Sequence, residues 1–167
     1  MKVLTETTAA AVLDRPRDER VSSAVDLTVV IPAHHEAQNL ELLLPELAAV
    51  LRRLGIAHEM LIVATTSDEP TVESARSTGA RVIVQTGRGY GNALTTGFRE
   101  ASGEYVLTMD ADLSHPAEFV EGLWRHRHHA DVVIASRYVD GGRAHMSRYR
   151  LWLSRTLNAF FARGLDM

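Results

Sequence analysis

Two acids one residue apart, Asp110 and Asp112, follow directly on the apolar run Tyr105-Val106-Leu107-Thr108-Met109. Leu113-Ser114-His115-Pro116 comes straight after them. Carboxylates spaced in this way, where a buried strand runs out into a loop, suit a hard divalent cation. Mg²⁺ and Mn²⁺ prefer oxygen ligands. One or two carboxylates usually hold them, and substrate phosphates complete the shell. The second ligand expected here is therefore a nucleotide diphosphate. Taken alone, the triplet also has a bland reading, because Asp is frequent in turns and at helix starts. The rest of the chain decides between the two.

The elements that must position these acids are legible from Asp26 onward. Short apolar runs read as strands over Leu27–Ile31, Glu59–Val63, Arg81–Val84, Tyr105–Met109 and Asp131–Ala135. Nearly all of their residues are apolar, as expected where both faces of a parallel sheet are covered. Helical patterns lie between them, near Ala37–Leu54, Thr71–Thr78, Asn92–Ser102 and Pro116–His128. Leu40, Leu43, Leu44, Leu47 and Leu51 give the first helix one apolar face, with Pro45 inside it as a kink or as the start of its regular part. Pro70 suits the first turn of the second helix, and Gly79 and Gly103 fall where helices stop. This alternation predicts an α/β three-layer sandwich with a mainly parallel sheet. In such sheets ligands bind beyond the carboxyl ends of the strands. The unusual loops all lie on that edge: Pro32–Glu36, Ala64–Glu69, Gly87–Gly91 and Asp110–Pro116.

Composition narrows the function classes. The chain has 167 residues, 46% of them hydrophobic, which suits one globular domain. It has no cysteine, so disulfides and thiolate metal sites are excluded. Lys2 is the only lysine against seventeen arginines, and arginine is the better bidentate phosphate ligand. The net charge of −3 divides into +4 from Ser136 onward and −7 before it. A basic arm on an acidic body suggests an anionic partner for the arm, or arginines that only solvate a helix. Nucleic acid is not expected as that partner, because basic and aromatic residues do not interleave. No apolar run is long enough to span a bilayer, and no secretory leader is evident. Residues 1–25 read as a polar tail and Ser147–Leu165 as an amphipathic helix.

Three stretches together carry a resemblance. They are Val29-Val30-Ile31-Pro32-Ala33-His34-His35-Glu36-Ala37-Gln38-Asn39-Leu40, then Asp110-Ala111-Asp112-Leu113-Ser114-His115-Pro116, then Ala130-Asp131-Val132-Val133-Ile134-Ala135-Ser136-Arg137-Tyr138-Val139-Asp140-Gly141-Gly142-Arg143. In this order and spacing the chain resembles a family-2 glycosyltransferase of the GT-A fold, a Rossmann-like nucleotide-diphospho-sugar transferase. The third stretch narrows the likeness to dolichol-phosphate mannose synthases and bacterial polyprenyl-phosphate glycosyltransferases. The resemblance covers about residue 26 to the end, and implies a transferase domain over 26–167 that lacks the usual C-terminal portion.

The resemblance implies a role for each motif. Pro32, Ala33 and Glu36 line the nucleotide-sugar pocket, and Arg88 in the glycine-rich loop reaches the diphosphate or belongs to a plain turn. Asp110 and Asp112 hold Mg²⁺ or Mn²⁺ and the sugar diphosphate, with Ser114 close to the metal. Asp112 and Arg137 are the expected catalytic residues, and Arg137, Arg143, Arg148 and Arg150 meet the acceptor phosphate. GDP-mannose is the favoured donor, with a UDP-sugar as the alternative. Charge favours a polyprenyl phosphate acceptor. An alcohol needs a general base, whereas a phosphate monoester is already an oxyanion that needs cationic clamps. Arg137, Arg143, Arg148, Arg150 and Arg155 supply them. The expected setting is peripheral, at the cytoplasmic face of the membrane.

Two departures from the family pattern stand out. Val63-Ala64-Thr65-Thr66-Ser67 occupies the place of the family's Val-Asp-Asp-Gly-Ser. Asp68 and Glu69 stand nearby and are read as starting the next helix. The chain also ends at Met167, where relatives continue, so the expectation is a truncated chain or a separate partner chain supplying the remainder. Two alternatives follow: a non-catalytic transferase-like domain that binds a partner or a membrane, and a transferase acting on a sugar hydroxyl. Other motifs carry less. The glycine-rich loop follows the third strand and lacks the Lys-Ser/Thr of a P-loop. His126, His128 and His129 suit a helix end, and His34-His35 a loop.

Overall fold

The computed structural model describes residues 24–65 and 68–135. The expected helix over 147–165, and the polar tail except for Ala24 and Val25, lie outside the described residues. Four strands form one sheet: β1 (Leu27–Ala33), β2 (His58–Ala64), β3 (Arg81–Val84) and β4 (Tyr105–Thr108). All three pairings are parallel, in the order β3-β2-β1-β4. The register runs from Leu27 opposite His58 to Ala33 opposite Ala64, and from Leu27 opposite Tyr105 on the other side. The helices are α1 (Ala37–Arg53), α2 (Glu69–Ser77), α3 (Tyr90–Glu100) and α4 (Phe119–His126).

The strand order explains the layers. The chain steps outward from β1 to β2 to β3, then returns past β1 to β4. Right-handed crossovers then put α1 and α2 on one face and α3 on the other. The buried side chains follow that division. Leu27, Val29, Ile31 and Ala33 of β1 pack with α1, with Ala75 of α2 and with Val120 of α4. Val30 points the other way and joins Leu61, Val63 and Ala93 beneath α3. Leu40, Leu43, Leu44, Leu47 and Leu51 of α1 are almost fully buried. At 1.5–3 kcal/mol per buried apolar side chain, this stripe contributes on the order of 10 kcal/mol of gross transfer free energy. Pro45 lies on the exposed side of α1, where water can take the carbonyl that loses its amide partner, and the helix continues through it.

On the opposite face α3 sits very close to the sheet. A Cβ added at Gly97 would lie 2.2 Å from Val30 Cγ1. Glycine at that position is what allows helix and strand to meet.

One expected element is absent. Residues 131–135 form no strand, and Val132 and Ile134 are 73% and 78% exposed. Their apolar run matches a buried strand locally, but a strand also needs a ladder, and this segment runs beside the β4 edge without forming one. Among the described residues β4 is therefore the sheet's edge strand on that side.

Candidate active site

The point where strand order reverses lies between β1 and β4, and the loops leaving their carboxyl ends face each other across a cavity of about 1000 Å³. Such a crevice is where ligands bind in open α/β sheets. The end of β1 contributes Pro32 and Ala33, and the loop after it His34 and Glu36. The segments after β2 and β3 add Thr65, Gln85 and the turn Thr86–Tyr90, including Arg88. Beyond the end of β4 come Asp110, Ala111 and Asp112. Six of the residues singled out from the sequence, Pro32, Ala33, Glu36, Arg88, Asp110 and Asp112, thus line one cavity although they are drawn from three separate stretches of the chain.

The acid pair is set by alternation. Met109 and Ala111 are buried, while Asp110 and Asp112 are exposed. Leu113 follows with φ +59°, which turns the chain sharply after the second acid. Ser114 N–H then donates back to Asp112 Oδ1 at 2.9 Å. The Ser114 hydroxyl and N–H hold the Asp112 carboxyl below its ordinary pKa, so it is ionised at neutral pH. Asp110 Oδ1 accepts a 2.9 Å hydrogen bond from the Tyr90 hydroxyl at the start of α3. Burial first, and Asp110 second, raise the Tyr90 pKa, so this hydroxyl remains a donor. Gly89, with φ +84°, makes the turn that delivers Tyr90 to this place.

These residues fit a hard cation. Two carboxylates at one mouth of the cavity, one of them held ionised, offer hard oxygen ligands and leave the remaining positions to a ligand's own oxygens. Mg²⁺ or Mn²⁺ bound together with a diphosphate needs that arrangement. Ser114 stands behind Asp112, with its hydroxyl oxygen 2.9 Å from His115 Nδ1, and is not among the cavity-lining residues. Glu36 Oε2 accepts from Asn39 Nδ2 at 2.5 Å, and Glu36 N–H donates to Thr71 Oγ1 at 3.0 Å. Arg137, Arg143, Arg148 and Arg150 lie outside the described residues.

Three placements differ from the sequence expectation or were invisible to it. Asp68 occupies the residue before α2, yet its side chain makes no capping bond. Its buried carboxylate instead crosses to the β1–α1 loop and accepts His35 N–H at 2.5 Å. Burial alone would raise its pKa, and the His35 N–H together with the neighbouring Thr71 outweighs that and lowers it. Ala64, at the place of the family's first Asp, is fully buried and offers no polar group. Tyr90 carried no signal of its own in the sequence, because its partner is twenty residues away. A second cavity of about 490 Å³ runs along the edge of β4, and Tyr90 and Asp110 line it as well.

Comparison with known proteins gives a consistent picture. A model of the family described as Glycosyl transferase family 2 matches residues 28–164. The chain is 35% identical over 123 residues to a dolichol-phosphate mannosyltransferase of Pyrococcus furiosus, covering 70% of this chain and 34% of that protein. It is 33% identical to the Saccharomyces cerevisiae protein of the same name, covering 71% and 47%. To an undecaprenyl-phosphate 4-deoxy-4-formamido-L-arabinose transferase of Pseudomonas paraeruginosa it is 36% identical, covering 80% and 41%. The chain thus spans a third to a half of these relatives' length. Among solved structures, glucosyl-3-phosphoglycerate synthase of Mycobacterium tuberculosis, crystallised with Mn²⁺, UDP and glucosyl-3-phosphoglycerate, superposes with a TM-score of 0.54. It is 23% identical over 62% of this chain and 39% of that one, a likeness of fold.

Proposed function

This chain belongs to glycosyl transferase family 2, and from that membership we propose that it transfers a hexose from a nucleotide-diphospho-sugar to a polyprenyl phosphate. The observation that carries the proposal is the meeting of Pro32, Ala33, Glu36, Arg88, Asp110 and Asp112 around one cavity at the switch point of the sheet. GDP-mannose is the favoured donor, because two of the relatives are dolichol-phosphate mannosyltransferases. The acceptor class is supported by relatives named for dolichol phosphate and undecaprenyl phosphate. The arginines after Ser136 support it independently.

In this reading Pro32, Ala33 and Glu36 receive the nucleoside side of the donor, and Arg88 faces the diphosphate. Asp110 and Asp112 would hold Mg²⁺ or Mn²⁺, and Ser114 keeps Asp112 ionised and oriented. The cation, when bound, neutralises the charge that builds on the departing diphosphate. Arg137, Arg143, Arg148 and Arg150 clamp the acceptor phosphate. One acceptor oxygen attacks the anomeric carbon in line as the bond from that carbon to the diphosphate oxygen breaks, which inverts the centre. The nucleophile is already anionic, so no residue of this chain has to remove a proton from it. The enzyme would work at the cytoplasmic membrane face. Among the described residues no helix is long and apolar enough to cross a bilayer.

A transfer assay with polyprenyl phosphate, labelled GDP-mannose and Mn²⁺ tests the proposal. Asp112→Ala is expected to abolish transfer, and full activity in that variant would refute the assignment. The buried Ala64 and the hydroxyl-bearing Thr65, in place of the acids of the resembled family pattern, favour one second reading: a domain that keeps the fold without catalysis. No transfer by the wild type from GDP-mannose or UDP-glucose to either polyprenyl phosphate or an oligosaccharide would support it. Transfer to the oligosaccharide alone would assign a sugar hydroxyl as acceptor.

A further inference from the structure

We propose that His34, His35 and Asp68 form a transition-metal site separate from the acid pair beyond β4. Each residue offers one ligand atom, and the three atoms lie within 4.8 Å of one another, the only such group among the described residues. The backbone brings them together in an unusual way. Side chains of consecutive residues in extended chain point apart. His35 instead has φ +60°, a left-handed conformation uncommon outside glycine. Its ring therefore swings back onto that of His34, with the centroids 4.0 Å apart.

The third ligand holds this geometry. Asp68 accepts the His35 N–H at 2.5 Å, which ties down the left-handed residue. Its Oδ1 lies 3.6 Å from His35 Nδ1 and its Oδ2 4.0 Å from His34 Nδ1. Those separations are too long for hydrogen bonds. They are close to the roughly 3.3 Å that separates two ligand atoms on a tetrahedral ion with bonds of about 2.0–2.1 Å. Rotation of the two exposed histidine rings has to close these distances and the widest separation in the group, which reaches up to 4.8 Å. Asp68 is 2% exposed and fixed, while His34 and His35 are 59% and 71% exposed and open to an ion from solvent. Thr65 Oγ1 lies 3.0 Å from the same His34 Nδ1, so that contact gives way when this nitrogen takes the ion.

The chemistry of the donors selects the ion. Two imidazoles and one carboxylate suit Zn²⁺, Ni²⁺ or Cu²⁺, whereas the all-oxygen pair Asp110 and Asp112 suits Mg²⁺ or Mn²⁺. Three protein ligands leave a fourth position open. The inference does not rest on the transferase reading.

The test is a Zn²⁺ titration of the metal-free 167-residue chain against a chromophoric chelator, without nucleotide, with Co²⁺ spectra in parallel. The wild type is expected to take up one Zn²⁺ and to give the visible bands of four-coordinate Co²⁺. Asp110→Asn/Asp112→Asn and His126→Gln/His129→Gln should retain both signals. In His34→Gln/His35→Gln, where two exposed side chains change and the thermal melt should stay put, Zn²⁺ affinity should fall by about tenfold or more and the cobalt bands should vanish. Unchanged affinity in that variant, or no stoichiometric uptake by the wild type, would overturn the site.

Discussion

Tyr90 reaches Asp110 across the mouth of the cavity, its hydroxyl donating to Oδ1 at 2.9 Å. Ser114 does the same for Asp112 from the other side. Each acid of the pair thus has a neighbouring residue that orients it. Outer partners of metal-binding carboxylates typically matter by about 10–100-fold in affinity. Tyr90→Phe removes the donor and keeps the ring, so it should weaken Mn²⁺ held with GDP by a factor in that range, read from the free-Mn²⁺ resonance signal. Unchanged affinity would show that Asp110 needs no orienting partner. The acids were legible in the sequence because their spacing and the strand before them are local. Tyr90 was not, since a turn rich in glycine says nothing about where the first residue of the next helix points. Asp68 was half legible: it stands before α2, and Glu69 opens that helix as expected, but only the folded loops show its carboxylate turned toward His35.

At the scale of elements, Gly97 and Gly122 form a matched pair in α3 and α4. A methyl group at Gly97 would collide with Val30 Cγ1, a fully buried strand residue, whereas nothing lies within 4 Å of one at Gly122. Exchange to alanine favours a helix by about 1 kcal/mol in both places. Overpacking at Gly97 costs about 1–3 kcal/mol. Gly97→Ala should therefore lower the urea midpoint and Gly122→Ala raise it. Val30→Ala combined with Gly97→Ala should recover part of the loss, a coupling expected of residues in contact. Equal midpoints for both single variants would mean that α3 does not rest on β1 as described. The four helices and first four strands were readable to within a few residues at their ends, because each carries its own periodicity. Residues 131–135 carry an equally good local pattern, yet pairing depends on which backbone lies alongside, and no window of residues reports that.

For the whole molecule, function follows from connectivity. The sheet reverses its order between β1 and β4, so the loops after Ala33 and after Thr108 splay apart and leave the crevice that the acids enter. That crevice could be anticipated from strand-helix alternation alone. Its volume and the sharing of Tyr90 and Asp110 with the groove along β4 could not, because each depends on contacts between distant segments. The central claim is that Asp110 and Asp112 bind a nucleotide-sugar diphosphate through a divalent cation. Calorimetric titration of GDP-mannose into the 167-residue chain, with and without Mn²⁺, tests it most directly when repeated on Asp110→Asn/Asp112→Asn. Saturable binding to the wild type is expected only with Mn²⁺ present, and none to the variant. Binding of equal strength in the variant, or in the wild type stripped of metal, would contradict it.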